Sequence, residues 1–498
     1  MKLNKFIAIL CATSMIFSFT ACGNKQNEEN KSPSEITGSS AEITQKEESE
    51  HKENSFTEEE ITPTLILTPT LILTPTPPKE AITENMNDSP NNIKPDVDTD
   101  LVASSGLEFE SNGDGTCSII GLGICTDTDI VIPTVSPNGD IVTLIEEYAF
   151  MSLEDVTSIT FVNYNYEVEK CAFQYGKFEE LNVIGGNPVF KESAFSSCEN
   201  LKSITFTECN IEAEKYAFFT CGKDAVVTFT NCNGTLGERA FQYSSIETLK
   251  ISNCELELHE SVFSSCEDLT VLKFTDSNIT VEDYAFYTCG NDAIVEFINC
   301  SGILGERAFQ YSSIETLKIS NCELELHESV FSSCEDLIVL QFANSTITAE
   351  EYAFYACGDK AIIEFTDCSI NLDNNVFQYS SILSVSISGD TIEIGESAFS
   401  NCEDLTSVII NGNSVVLGEY TFYSCEDLVN VKICDNENKE NTISIDDSAF
   451  QYCENLENVV IGNGTIELGE YVFSGCADNL ILSIAGKTYT ADGVKKGL

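Results

Sequence analysis

The sequence predicts a repeat solenoid, one elongated domain of short stacked units, on three observations. A Phe, usually preceded by Ala, recurs fifteen times from Phe150 to Phe473, at spacings of 22 or 23 residues except for 28 between Phe422 and Phe450. A fixed period of that length marks stacked supersecondary units. In several copies, apolar and polar residues after the Phe alternate with the period of two that a half-buried strand requires. Leu236–Leu269 is also identical to Leu304–Leu337 over all 34 positions, and duplication of a three-unit, 68-residue block explains it. At 498 residues the chain is long enough for about three globular domains; the repeat replaces them with one.

Each unit has the same parts. From Phe263, apolar residues fall at Leu269, Leu272 and Phe274, and the last two are separated by polar Lys273, which reads as a strand. Ile279 and Val281 follow as a second short extended segment. The Ala/Val-Phe-x-x-Cys part, preceded by Glu and Ser or Tyr, predicts one or two helical turns. One unit cannot bury its own apolar stripe, so units must stack with strands ~4.8 Å apart. The expectation is a β-strand plus a short helical turn per 22–23-residue unit, about fifteen units over residues 145–485. A β-rich cap at 101–144 precedes them and a tail at 486–498 follows. The rod is about 70 Å long on that spacing.

The N-terminal hundred residues read as an address and a stalk. Lys2 and Lys5 precede the apolar run Phe6–Phe19, which ends in Thr20, Ala21 and Cys22. A positive start, an apolar core and small residues before the cut are the parts of an export signal, here 1–21. The run falls short of the ~20 residues that span a bilayer. Its end resembles a bacterial lipobox, which implies acylation of Cys22, as by palmitate, and a bacterial membrane lipoprotein facing the cell exterior. Residues 22–100 carry the anchor and a stretch rich in Thr, Pro and Glu, too poor in apolar groups to offset chain entropy by folding.

Composition excludes several function classes. The net charge is −56, from 81 acidic and 25 basic residues, so phosphate neutralisation and hence nucleic-acid binding are not expected. Contact with membrane is expected through the lipid anchor only. The chain has three His and no Trp, and it lacks Gly-x-Ser-x-Gly, His-Glu-x-x-His and phosphate-loop motifs. No enzyme activity, no cofactor and no dedicated metal site are expected.

Ten units carry Cys three residues after the Phe, from Cys198 to Cys476, and others carry Ser244, Ser312 or Ser380 there. That column wants a small residue. A second column holds Cys209, Cys232, Cys254, Cys300, Cys322 and Cys368. Tetrahedral zinc wants ligands in close pairs, and none is present, so buried free thiols acting as small apolar fillers are expected. Cys117 and Cys125 lie outside the columns and are the candidate disulfide that export permits. Twelve units have Glu or Asp three residues before the Phe. Stacked, these form a line of like charges: a solvated acidic edge with weak, diffuse affinity for divalent cations.

The stretches Glu192–Phe206 and Gly395–Ile410, with their neighbours, resemble the repeat of BspA-like leucine-rich repeat proteins over residues 145 to about 485. Leu107–Pro133 is similar to the β-rich lead-in found before such repeats. The serine-bearing units, such as Ala240–Ile246, are one residue tighter than the commonest pattern. The resemblance implies a bacterial surface protein, in some relatives an adhesin for host matrix proteins or other cells, and supplies no fixed set of functional residues.

Function is therefore sought on the surface. Polar strand positions are expected to form one contiguous face, taken as the concave one that solenoids use for binding. They are Thr205, Thr228, Lys250, Lys273, Glu296, Lys318, Gln341, Glu364 and Lys432. The Tyr residues repeated around the Phe are assigned to packing between units, and the polar insertion Asp435–Asn441 to a tolerated loop. The expected partner is a macromolecule, a protein with basic patches; self-association in an envelope or biofilm layer and glycan capture are the alternatives.

Overall fold

The structure is a computed structural model and describes residues 101–434 and 441–490. The export signal, Cys22, the stalk, residues 435–440 of the polar insertion and residues 491–498 lie outside the described residues.

The chain winds through sixteen turns, each contributing one strand to each of two parallel sheets. Sheet A begins with Asp129–Ile132 and Ser158–Tyr164 and ends with Ile481–Ile484. Sheet B begins with Thr116–Gly121 and Ile141–Ile145 and ends with Thr465–Leu468. Two strands, Ile382–Ile394 and Ser407–Leu417, run without a break through both sheets. The lead-in is therefore the first solenoid turn: Thr116–Gly121 pairs in parallel with Ile141–Ile145, and Asp129–Ile132 with Ser158–Tyr164. Each end is closed by one antiparallel strand, Glu108–Ser111 on sheet B and Lys487–Thr490 on sheet A. The expected tail thus begins as an end cap, which blunts an edge that would otherwise offer unpaired backbone groups.

The Phe segment is not helical, which corrects the sequence reading: among the described residues no helix occurs. Positions two before and two after each Phe are left-handed, as at Tyr216 (φ 60°), Thr220 (φ 56°), Arg239 (φ 57°) and Tyr243 (φ 59°). Left-handed residues interrupt any α-helix and cost about 1–2 kcal/mol each outside glycine. What offsets that cost is hydrogen bonding to the next turn. Phe195 N donates to Ala217 O at 2.7 Å and Ser197 N to Phe219 O at 2.8 Å, and the pattern repeats along the rod. The segment is a stack of tight turns, a third hydrogen-bonded side beside the two sheets.

Inside it, the fifteen Phe rings form one ladder. Neighbouring centroids lie 4.7 Å apart between Phe218 and Phe241 and 5.6 Å between Phe450 and Phe473, the two extremes, with ring planes near parallel. The spacing follows the strand separation, so offset stacking adds to burial. The small column is now explained as well. Cys289 Sγ donates to Phe263 O at 2.8 Å, and Ser312 Oγ does the same to Phe286 O at 2.7 Å. In all but the first two turns, which carry Leu153 and Gly176, the position holds a small donor and not merely a small residue. The tighter serine units compensate by a bulge: Ala225 and Val226 pair with Ile246 and Thr248, skipping Glu247, and the later serine units repeat it. Gly234 and Gly302 stand where a Cβ would meet the carbonyl oxygen of the turn before at 1.9 Å.

Phe286 stacks on both Phe263 and Phe309, whereas Phe473 stacks on Phe450 alone. Phe286→Ala is expected to lose about 3–5 kcal/mol and Phe473→Ala clearly less, measured by denaturant unfolding. Equal losses would show that the ladder adds nothing along the rod. In the same assay Cys289→Ser keeps the donor and is expected to change stability by less than about 0.5 kcal/mol, while Cys289→Ala loses about 1 kcal/mol or more.

Candidate functional site

Register fixes which surface residues share a row. On the outward side of sheet A, Thr205 pairs with Thr228, Thr228 with Lys250, and Lys250 with Lys273. The row continues through Glu296, Lys318, Gln341 and Glu364. Ser386 and Ile409 then intervene before Lys432. All nine residues expected to share a face therefore lie on one line across the strands, Lys432 separated from the rest by two turns.

The row is bonded along its length. Thr205 Oγ1 donates to Asn182 at 2.8 Å, Lys273 pairs with Glu296 at 3.0 Å, and Gln341 Nε2 donates to Glu364 at 2.9 Å. Among the described residues Lys250 and Lys318 make no ion pair, although each stands one turn from a charged neighbour. Lys318, Gln341, Glu364, Ser320 and Thr366 border a shallow cleft of about 230 Å³ floored by Phe342 and Ala343. Exposed Val226, Ile294, Ile362 and Ile409 lie in sheet A as well, so the face mixes ammonium groups, hydroxyls and apolar surface.

Sheet B is electrostatically different. Its strands contain no Lys or Arg, and Glu212, Glu255, Glu257, Glu323, Glu325, Glu393 and Glu467 are outward on it. All four lysines of the parallel strands, Lys250, Lys273, Lys318 and Lys432, are on sheet A, as is Lys487 in its antiparallel end strand. The strand sequences alone carry this asymmetry, but only register shows that it separates two faces.

The acidic edge before the Phe turns has a use that the sequence did not reveal. Glu260 N is bonded by the Glu282 carboxylate at 2.9 Å, Glu328 N by Glu350 at 3.0 Å and Glu470 N by Asp447 at 2.6 Å. Carboxylates on one turn accept from backbone donors on a neighbouring turn. The edge is also partly neutralised: Lys170 pairs with Glu192 at 2.8 Å, Lys191 with Glu214 at 3.1 Å and Lys215 with Glu238 at 2.7 Å. The residues that do this stand in the acid column's own neighbourhood, and the count of acids hid them.

The repeated tyrosines do pack between turns, on the surface. Tyr216 meets Phe219, and Phe219 meets Tyr243 of the next turn, both edge-to-face. One block later come Tyr284, Tyr287 and Tyr311, then Tyr352, Tyr355 and Tyr379, then Tyr420, Tyr423 and Tyr452, with centroids 5.4 to 5.7 Å apart. The last member of each triad is about half exposed.

The thiols are held inward. Cys198, Cys266, Cys334 and Cys425 are fully buried and burial pushes each well up from the usual thiol range. Cys322 moves the other way, to about 7, because Cys300 donates to it, yet it is buried too. Cys209 and Cys232 approach at 3.5 Å between sulfurs as thiols. Cys117 and Cys125, expected as a disulfide, stand as two separate buried thiols, Cys117 Sγ turned to Asp140 O at 3.7 Å. Iodoacetamide at pH 8 is therefore expected to leave Cys266 and Cys289 unmodified in the native full chain and to alkylate both after unfolding, followed by peptide mass spectrometry. Rapid native alkylation of either would contradict the packing.

The comparisons with known proteins agree with the repeat. The family model described as BspA type leucine rich repeat region matches in six copies over residues 134–247, 256–381 and 370–488. A leucine-rich repeat protein from Bacteroides ovatus is similar at 21% identity, covering 76% of this chain and 92% of its own, with a TM-score of 0.39. A leucine rich cell surface protein from Faecalibacterium prausnitzii is similar at 17% identity over 74% and 95%, with a TM-score of 0.25. The pneumococcal vaccine antigen PcpA is similar at 14% identity over 74% and 98%, with a TM-score of 0.23. No curated protein matches. Its repeat, matched over most of the chain, places the protein in the BspA-type leucine-rich repeat family.

Proposed function

We propose that the chain is a bacterial cell-surface lipoprotein that uses the outward face of sheet A to bind a protein ligand, in adhesion to host matrix or to other cells. The observation that carries this reading is the in-register row from Thr205 to Glu364, continued at Lys432, which gathers the strand lysines on one face of an otherwise acidic molecule. Family membership supports it, since the family is one of bacterial surface proteins. Cys22 would carry the acyl anchor, and residues 23–100 would hold the solenoid away from the membrane. The acidic surroundings draw a partner with basic patches, while Lys250 and Lys318, without ion pairs of their own, meet its acceptors. Many weak contacts along the row, multiplied over many copies on a cell, give avidity without one strong site.

A structural role is the second reading; the acidity of sheet B opposes it except where divalent cations screen the carboxylates, the condition under which rods could associate side by side. Glycan capture is the third, and the absence of Trp removes its strongest stacking platform.

The test is binding of the full chain to purified matrix proteins and glycans, with and without calcium. Saturable binding, weakened about tenfold or more by Lys250→Glu and Lys318→Glu together, is the expected result. No binding across the panel, with calcium-driven self-association, would overturn the adhesive reading in favour of the structural one.

A further inference from the structure

The four aromatic triads share one geometry but not one electrostatic setting. In the first two blocks the chain supplies its own cation. Arg239 donates to the Tyr216 hydroxyl at 3.1 Å and Arg307 to the Tyr284 hydroxyl at 2.8 Å, the latter guanidinium 5.9 Å from the ring centroid. These are the only arginines in the chain. Both stand two residues before a Phe, a left-handed position in every turn, with φ of 57° and 56°.

The same position is Asn375 in the third block and Ser448 in the fourth. Asn375 donates to Glu351 at 3.1 Å and so fills its site in part. Ser448 is too short to reach Tyr420, whose hydroxyl the neighbouring Glu419 carboxylate holds above the usual phenol range. The edge divides in the same place. No Lys or Arg occurs within four residues before any Phe from Phe331 to Phe473, while Glu419, Asp447 and Glu470 flank the fourth triad. Beside that triad lies an open cleft of about 440 Å³, lined by Tyr420, Tyr423 and Tyr452 with the amides of Gln378, Asn401 and Gln451.

An aromatic face, a phenolic oxygen and uncompensated carboxylates are what a guanidinium uses: cation–π attraction together with a planar fork of donors. The chain makes the hydrogen bond twice with its own arginines and the ring contact once, at Arg307, Lys215 covering the Tyr216 ring at 4.9 Å. We propose that the edge around Tyr420 binds an arginine side chain of a partner protein, the guanidinium taking the place there that Arg239 and Arg307 fill at Tyr216 and Tyr284. A second copy of the chain cannot supply it, since both of its arginines are bonded at home. The site shares no residue with the sheet A row and does not depend on the function proposed for that row.

The test titrates the full chain, at physiological salt, with a capped Gly-Arg-Gly-Arg-Gly-Arg-Gly peptide and with its citrulline analogue. The arginine peptide is expected to saturate, and the uncharged analogue to bind about tenfold more weakly or worse. Ser448→Arg restores the internal guanidinium at a left-handed position (φ 58°) that Arg239 and Arg307 already tolerate, and should weaken the peptide about fivefold or more. Thr465→Arg adds the same charge to exposed sheet B and should change binding less than about twofold. Glu419→Gln, an exposed isosteric change, should weaken it as well and guards against a misfolded Ser448→Arg. Equal effects of Ser448→Arg and Thr465→Arg would reduce the binding to general attraction by an acidic chain and overturn the proposal. So would equal binding of the two peptides, or no saturation.

Discussion

Everything in the rod depends on one distance, the separation of ~4.8 Å that parallel backbone pairing imposes on successive turns. Both sheets keep it, and so does the stack of Phe turns, where Phe N donates to a carbonyl on the following turn, as from Phe286 to Ala308 at 2.7 Å. A side chain repeated at one position is thereby placed in contact with itself. Aromatic rings stack at that separation with favourable offset, and a Cys or Ser can reach the carbonyl of the turn before. Asn side chains link similarly at the bend from sheet A to sheet B: Asn253 donates to Asn231 at 2.6 Å and Asn321 to Asn299 at 3.1 Å. Those bends are left-handed, a conformation Asn tolerates better than most residues.

The same constraint is unfavourable for charge. Like carboxylates one turn apart repel, and the chain has three answers to this. Along the first turns Lys170, Lys191 and Lys215 alternate with Glu. Elsewhere the carboxylate accepts from a backbone N–H on the neighbouring turn, as Glu282 does from Glu260. On sheet A, lysines and a glutamine share the row with Glu296 and Glu364. On sheet B Lys191 reaches Glu167 at 3.2 Å and His259 stands 3.9 Å from Glu257; its other outward glutamates stay in water, which is the state that resists lateral packing.

What could be read from the sequence is what repetition encodes directly. The Phe period gave the stacking, and alternation around Leu272 and Phe274 gave a strand with its buried side. The row from Thr205 to Lys432 followed from counting positions, because parallel pairing keeps register from turn to turn. The helical turn was misread because Ala-Phe-x-x-Cys has helical apolar spacing, while the left-handed residues beside it are Tyr, Ser and Arg. Nothing in those residue types signals a positive φ. Hydrogen bonds from the next turn stabilise it, and they exist only in the stacked state. The donor role of Cys289 and the capping role of Glu282 were hidden for the same reason: their partners lie some 22 to 26 residues away in sequence.

Repetition also changes how a functional residue is recognised. Where 34 residues recur without a change two blocks share one core, and elsewhere a core column changes within apolar or small residues, as from Phe342 to Ile410. The surface positions that break the symmetry are the informative ones. Lys273 becomes Gln341 one block later, and the lysine that precedes Tyr216 becomes Asp283, Glu351 and then Glu419. Arg239 and Arg307 give way to Asn375 and Ser448 on an otherwise constant frame of tyrosines. Packing requires none of these changes, since the Phe ladder runs past them unaltered. Their sum is a gradient, from an N-terminal edge that neutralises itself to a C-terminal edge that does not. A solenoid built by duplication thus acquires direction: its scaffold is uniform, and its two ends present different charges to whatever approaches.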